Sequence, residues 1–463
     1  MKTKKNITHR KKSFKKTNKN KKYINMNEES NSETRQFETS NINGSIVSEK
    51  DGWKTIHIFG EPYERGFAHG VLLHIELQRV KKNMNFYIKD QIHISPIVFY
   101  KQSDKIILPI VKTKYSEFYR ELEGIADGAK MKGVEISTEF LVAWNAFFSL
   151  YDLNMYKKNL LRCSAFIACG DATEDGKIVM AHNTHTDLYS GQLANIILKI
   201  TPNKGNEFIM QTLPGYIASG TDWYISKSGI VCCETTIGEI NYKPKFGSPY
   251  FCRIREAIQY GKTLDECSKI MLRDNAGDYA CSWLFGNINT NEIMLLEIGL
   301  KEHNIQKTKN GVFYGMNSAM GQQLRENETN DEEFYDISSK CGLRNYRLNQ
   351  LLNTDYYGKI NITNAKKIIG DHYDIMQQKD DMNQLVICKH PELDPNAYYI
   401  PYSSTDAKVV DTSMAKKLHF WGIFGSGCGK REFNIKKYIK QHPQHKIWKN
   451  VLENIPAYQW TKI

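Results

Sequence analysis

An α+β architecture, with helices first and antiparallel strands after, is what two features of this sequence predict. Residues 67–150 carry apolar side chains at the three-and-four spacing of a helix face: Tyr115, Phe118, Tyr119, Leu122, Ile125 and Ala126, then Leu141, Trp144, Asn145 and Phe148. From Cys163 onward the pattern changes to short apolar runs separated by turn residues. Consecutive strands with short connections make antiparallel sheets, and helices on the outside would cover them.

Residues 1–22 contain eleven basic residues and no acid, so they hold nearly all of the formal net charge of +12 and leave the remainder almost neutral. A segment this rich in Lys, Asn and Thr cannot bury enough apolar surface to pack. It reads as a disordered arm, with a weak contact to polyanions as its second use and no specific nucleic-acid partner. Residues 23–50 stay polar around Asn43-Gly44-Ser45 and read as a linker or strand lead-in. An alternating strand at Trp53–Gly60 ends in Gly60-Glu61-Pro62, and Glu64-Arg65-Gly66-Phe67-Ala68-His69-Gly70 opens the helical layer.

Strands are predicted at 163–170, 178–187, 194–200, 207–211, 223–225 and 229–236, with a hairpin at 284–298 that turns at Asn289-Thr290-Asn291. Helices interrupt them at about 251–273 and 343–352. The expected segments are 1–50 as arm and linker, 51–162 as a mostly helical piece and 163–463 as the strand-rich piece.

With 463 residues, 41% of them hydrophobic, and with 26 Tyr and 20 Phe, the chain has material for one large core or two ordinary ones, which argues for a folded protein rather than a disordered one. Its ten cysteines are scattered through apolar surroundings, no pair has CxxC spacing, and Cys232 and Cys233 are adjacent in a strand-like run where they would face opposite ways. They read mostly as free thiols of a reducing compartment, so neither zinc, another metal nor a cofactor is expected. The N-terminus has charge but no apolar core, and no window approaches 18 uninterrupted apolar residues; a soluble, cytoplasmic protein without a signal peptide or transmembrane segment is the expectation.

The chemistry concentrates between Arg162 and Asp187. Arg162-Cys163-Ser164-Ala165-Phe166-Ile167-Ala168-Cys169-Gly170, a turn at Asp175-Gly176-Lys177, and Ile178-Val179-Met180-Ala181-His182-Asn183-Thr184-His185-Thr186-Asp187 read as a hairpin. Cys163 would stand at the start of one strand with the His182–Asp187 cluster at the end of its neighbour. A thiol beside imidazoles, amides and a carboxylate is the material of nucleophilic catalysis. The same residues in isolation are also what a small core thiol and satisfied polar groups look like.

A longer ordered series then resembles a known group. Cys-Ser-Ala at 163–165, His-Asn-Thr at 182–184, Leu213-Pro214-Gly215, Ser219-Gly220-Thr221-Asp222-Trp223-Tyr224, and Ser228-Gly229-Ile230-Val231 leading into Glu234-Thr235-Thr236-Ile237-Gly238 resemble phospholipase B-like proteins. They are similar also to the related cysteine acyltransferases and hydrolases that include isopenicillin N acyltransferase. Gly60-Glu61-Pro62-Tyr63-Glu64-Arg65-Gly66 upstream fits the same series, as do Asn275-Ala276-Gly277-Asp278-Tyr279, Trp283, Gly370-Asp371-His372-Tyr373-Asp374 and Gln459-Trp460-Thr461 downstream. The likeness spans about residues 51–463.

The resemblance implies an N-terminal nucleophile hydrolase: a four-layer αββα sandwich of two antiparallel sheets, made as a precursor that cuts itself just before the nucleophile, here between Arg162 and Cys163. The freed Cys163 would carry nucleophile and base together, because an α-amino group with an ordinary pKa near ~8 can take the thiol proton at neutral pH. His182 and Asn183 match the His-containing strand end of the group, whereas His185 stands where its members tend to carry Trp. Oxyanion donors, each worth ~3 kcal/mol when preorganised, would come from Asn183, Asn317 or Asn275, although Asn275 reads almost as well as a turn asparagine. Thr235 and Thr236 could line the pocket or simply favour a strand. Asp187 could orient the amino group or cap a turn, and Asp278 is open in the same way.

The implied partners are a small acyl or lipid substrate and the chain's own cleaved propiece. Ester against amide, and hydrolysis against acyl transfer, stay open. So do two other readings: an inactive scaffold of this fold whose basic arm engages anionic surfaces, and an uncut thiol hydrolase with His182 or His185 as base.

Overall fold

The computed structural model describes residues 42–155, 163–245, 247–396 and 400–463. The expectations for the basic arm, for most of the linker and for Arg162 lie outside these residues. Two apolar clusters explain the layering. In the strand Ser164–Cys169 and its partner Val179–Asp187, the side chains of Ala165, Ile167, Cys169 and Met180 enter one cluster, while Phe166, Ala168, Val179 and Ala181 enter another. A strand buried on both faces needs a layer on each side. One is a second sheet; the other is helical.

Among the described residues the larger sheet has nine strands in the spatial order Gly44–Lys50, Trp53–Gly60, Ile196–Pro202, Phe208–Thr212, Trp223–Ser226, Ile230–Thr236, Cys281–Asn287, Glu292–Ile298 and His303–Thr308. The smaller has six: Gly311–Gly315, Ser164–Cys169, Val179–Asp187, Tyr402–Asp411, Trp421–Phe424 and Thr461–Lys462. The sheets stack face to face. Helices Pro62–Leu72, Tyr250–Tyr260 and Leu264–Leu272 lie on the larger one, and Lys340–Gln350 and Ile362–Ile369 cover the smaller. This is the α+β, four-layer αββα order that the sequence leads one to expect. None of the described helices is long and apolar enough to cross a membrane.

Several elements differ from expectation for identifiable reasons. The sheets are not purely antiparallel, because Trp53–Gly60 runs parallel to Ile196–Pro202; the helical region between them forms the long crossover that a parallel pair needs. That pairing also places residues on both sides of the expected 162/163 boundary in one sheet. The 50/51 boundary falls inside a hairpin, since Gly44–Lys50 pairs with Trp53–Gly60. It hides in the sequence because an edge strand needs little apolar alternation: Ile46 and Val47 are exposed. The helix expected over 251–273 is two, separated at Gly261, with Thr263 and Glu266 forming a capping box on the second.

In the helical layer, Pro62–Leu72 packs against Ser116–Met131 at backbone distance. A Cβ on Gly70 would lie 2.1 Å from the Ile125 carbonyl oxygen, and one on Gly128 would lie 2.1 Å from that of Phe67. The buried Glu121 carboxylate ties the layer together, accepting from Arg65 at 2.7 Å and from Arg255 at 2.9 Å. Gly70→Ala must therefore push the helices apart. The expected cost is about 1–3 kcal/mol in equilibrium unfolding, against a change near zero for the solvent-side Glu123→Ala.

Candidate active site

The expected hairpin is present and its register is set by turn length and burial. Ser164 pairs with Asn183 and Ala165 with His182, while His182 pairs on its other side with Lys408. Alternation then turns Ala165, His182 and Lys408 toward the larger sheet, and Cys163, two residues before Ala165, heads the same face. Cys163 is 3% exposed.

Two side chains clamp the backbone at this point. Asn183 accepts the Ser164 N–H through Oδ1 at 3.0 Å and donates from Nδ2 to the carbonyls of Ile369 at 2.9 Å and Ile387 at 3.1 Å. Its amide is thus spent on cross-linking, not on meeting an oxyanion. Arg344, fully buried on the outer helix Lys340–Gln350, donates from Nη1 to the Cys163 carbonyl at 2.7 Å and to Ser164 Oγ at 3.0 Å. Its Nη2 reaches Asn317 Oδ1 at 2.9 Å. Asn317 Nδ2 donates to the Thr236 carbonyl at 2.8 Å, and its backbone sits at φ +78°, a left-handed conformation that costs energy for a non-glycine residue and that these bonds hold in place.

The electrostatics work against ionising the thiol. Burial pushes the Cys163 thiol up from its ordinary value, the carboxylates of Glu234 and Asp222 add to this, and the His185 backbone N–H and the Lys408 ammonium pull the other way. Burial, and after it Lys408, holds the His182 imidazole well below its ordinary range, so it is neutral near pH 7 and a poor proton acceptor. Lys408 is itself paired, donating to Asp406 Oδ1 at 2.6 Å and Thr184 Oγ1 at 2.7 Å, while Gln211 Nε2 of the facing sheet reaches Asp406 Oδ2 at 2.9 Å. Lys389 is fully buried, its Nζ has no hydrogen-bond partner among the described residues, and burial followed by Arg344 lowers its pKa.

Not every expected residue joins this group. His185 contributes its backbone N–H to the Cys163 sulfur, while its side chain, one register step from Thr184, faces away from His182's side. Asp187 caps the helix Leu188–Leu193, accepting the Ser190 N–H at 2.8 Å and the Tyr87 hydroxyl at 2.8 Å. Asn275 is the turn asparagine: Nδ2 donates to Gly299 O at 2.7 Å and Oδ1 accepts from Gly277 N–H at 3.0 Å. Asp278 is a buried structural acceptor for Ser149 Oγ at 2.6 Å, Tyr250 N–H at 2.9 Å and Arg253 Nη2 at 3.2 Å.

Thr236 Oγ1 shares a 2.9 Å hydrogen bond with the Tyr279 hydroxyl, which donates to Glu234 at 2.7 Å. Thr235 Oγ1 is buried between the sheets with no partner among the described residues, and a Cβ on Gly315 would lie 2.2 Å from it. Glycine is required there for the sheets to approach. Sequence reasoning missed Arg344, whose only signal was its place on an expected helix. It also passed over Asp222 and Glu234, both inside quoted motifs. The residues suited to a metal ion form a separate group, His372, Cys388, His390 and Cys428.

No family model matches the chain. Over 265 residues, 52% of this chain and 42% of the relative, it is 25% identical to an uncharacterized protein of Archaeoglobus fulgidus. Over 259 residues, 50% of this chain and 54% of the relative, it is 22% identical to the protein dcd1A of Dictyostelium discoideum. It is 34% identical to phospholipase B-like 2 of Rattus norvegicus over 140 residues, 26% of this chain and 23% of that one. The chain therefore spans about half or less of the length of these relatives. Among solved structures, a mutant of the conjugated bile acid hydrolase from Clostridium perfringens aligns with 57% of this chain and 89% of its own, at 9% identity and a TM-score of 0.33.

Asn183→Ala would take the Asn183 partner from the Ser164 N–H and the Ile369 carbonyl in a buried place, and would leave the Ile387 carbonyl with only the 3.4 Å bond from Ser164 Oγ. Each such group costs about 1–3 kcal/mol, so thermal or denaturant unfolding is expected to show a loss of at least about 2 kcal/mol. A change within about 0.5 kcal/mol, the range of an ordinary surface substitution, would count against the clamp.

Proposed function

We propose that this chain is an N-terminal nucleophile hydrolase of the phospholipase B-like kind, which cuts itself between Arg162 and Cys163 and then hydrolyses acyl substrates through a thioester on Cys163. The observation that carries the reading is the clamped Cys163 at the head of an inner strand, on the same sheet face as the His182 imidazole, which is too weakly basic to ionise it. In the uncut chain the thiol has lost its ordinary acidity and His182 cannot restore it. That favours a base created by cleavage over the uncut thiol hydrolase. Similarity to phospholipase B-like 2 over a quarter of the chain supports the same class.

Cleavage begins when the Cys163 sulfur adds to the Arg162 carbonyl. The thiol proton passes to the peptide nitrogen as the bond forms, so no thiolate is needed beforehand; the nitrogen leaves as the α-amine, an N-to-S acyl shift, and water hydrolyses the resulting thioester. In the mature enzyme the α-amine takes the thiol proton as sulfur attacks the substrate carbonyl. The proton then passes to the departing amine or alcohol, and water attacks the acyl-thioester to regenerate Cys163. Arg344 fixes the Cys163 carbonyl, so amine and thiol keep one orientation through both halves. The Thr235 hydroxyl, without a partner among the described residues, and a second Asn317 N–H are the donors we assign to the oxyanion. His182 positions substrate, and the substrate is a small amide or an ester, phospholipid among them.

N-terminal sequencing and intact mass of the purified protein test this. Two noncovalently held pieces, 1–162 and 163–463, are expected, with Cys163→Ala left as a single 53.5 kDa chain. The acid limb of kcat/KM in the cut enzyme should follow the α-amine and lie near or below pH ~8. Activity then rises as the amine loses its proton. A wild-type chain that stays at 53.5 kDa after long incubation would leave the scaffold reading standing.

A further inference from the structure

Four side chains that the proposed reaction does not use meet at the outer side of the smaller sheet. His372, Cys388, His390 and Cys428 come from three separate parts of the chain, yet their ligand atoms all lie within 4.8 Å of one another. His390 Nε2 is the hub: His372 Nε2 is 3.0 Å from it, Cys428 Sγ 3.5 Å and Cys388 Sγ 3.7 Å. A ring nitrogen has one lone pair or one proton, so it cannot satisfy three neighbours at such distances by hydrogen bonding.

We propose that His372, Cys388, His390 and Cys428 bind one zinc ion in a tetrahedral His2Cys2 centre. With Zn–N of about 2.1 Å and Zn–S of about 2.3 Å, tetrahedral coordination separates ligand atoms by about 3.4 Å for N and N and about 3.6 Å for N and S. The three distances above fall near those edges. The hydrogen bonds that orient such ligands are also in place. His390 Nδ1 lies 2.8 Å from Glu392 Oε1, a contact that puts the ring proton on Nδ1 and leaves the Nε2 lone pair aimed into the cluster. Glu392 in turn accepts from Ser403 Oγ at 2.9 Å. Two thiolates and two imidazoles suit zinc better than magnesium or calcium, which take oxygen ligands. Cys428 and His372 also line a cleft of about 590 Å³, which gives the ion an entry path.

The centre is joined to Cys163 by the segment between two of its ligands. Ile387 O accepts from Asn183 Nδ2 at 3.1 Å and from Ser164 Oγ at 3.4 Å, and the buried Lys389 lies between Cys388 and His390. Zinc holding Cys388 and His390 would fix the carbonyl on which the Asn183 cross-link rests.

Metal analysis of the full chain, purified in chelator-free buffer after growth with zinc, is expected to give one zinc per chain. Cys428→Ser should drop below stoichiometry, while Cys341→Ser, at a buried thiol outside the group, keeps its zinc. Glu392→Gln should retain the ion but release it to a chelator with affinity lowered about 10- to 100-fold. If Cys428→Ser does not fold, cobalt exchanged into the wild-type protein supplies the readout, with thiolate charge-transfer and tetrahedral d–d bands expected. Folded wild-type protein that takes up neither metal, or a Cys388–Cys428 disulfide in unreduced peptide maps, would overturn the proposal. Neither result bears on cleavage at Cys163, which is read from mass.

Discussion

Cys163 owes its position to backbone hydrogen bonds supplied from two directions. Asn183 reaches across the hairpin to the Ser164 N–H, and Arg344 reaches inward from the covering helix to the Cys163 carbonyl. Each of these side chains also holds something else: Asn183 the carbonyls of Ile369 and Ile387, Arg344 the strained Asn317. Sheet register, covering helices and the turn at Asn317 are thereby referred to one point. Because all the groups are buried, leaving any one unpaired costs far more than a surface bond would.

The same burial sets the chemistry. A thiol in a low-dielectric place beside two carboxylates resists ionisation, and an imidazole beside an ammonium resists protonation. The two effects reinforce each other, so the Cys163 thiol has no ready base in His182. The Lys408 ammonium favours a thiolate, but it is already committed to Asp406 and Thr184. An amine formed on Cys163 by the proposed cleavage would meet the deficit without rearranging the walls of the site.

What could be read from the sequence was local. The hairpin around Cys163 and the helices-then-strands order follow from spacing, because pairing between near neighbours is encoded by turn and alternation. Asn275 and Asp187 carried two readings each, and contacts with near neighbours in sequence decide for the turn and the cap. Arg344 meets Cys163 across 181 positions of sequence, and no periodicity signals such a meeting. The strand Tyr402–Asp411 was missed because its interior is Ser, Ser, Thr, Asp and Lys, polar residues buried in the service of the site. Nothing in the sequence brings His372, Cys388, His390 and Cys428 together, because CxxC spacing marks only ligands that share one turn.

In the proposed reaction everything depends on the Cys163 sulfur carrying the acyl group. Mass spectrometry of protein quenched during turnover of a slow acyl ester tests that most directly. The acyl mass is expected on the peptide containing Cys163, bound as a thioester that hydroxylamine removes. An acyl group found on another residue, or turnover undiminished once Cys163 alone is alkylated, would contradict it.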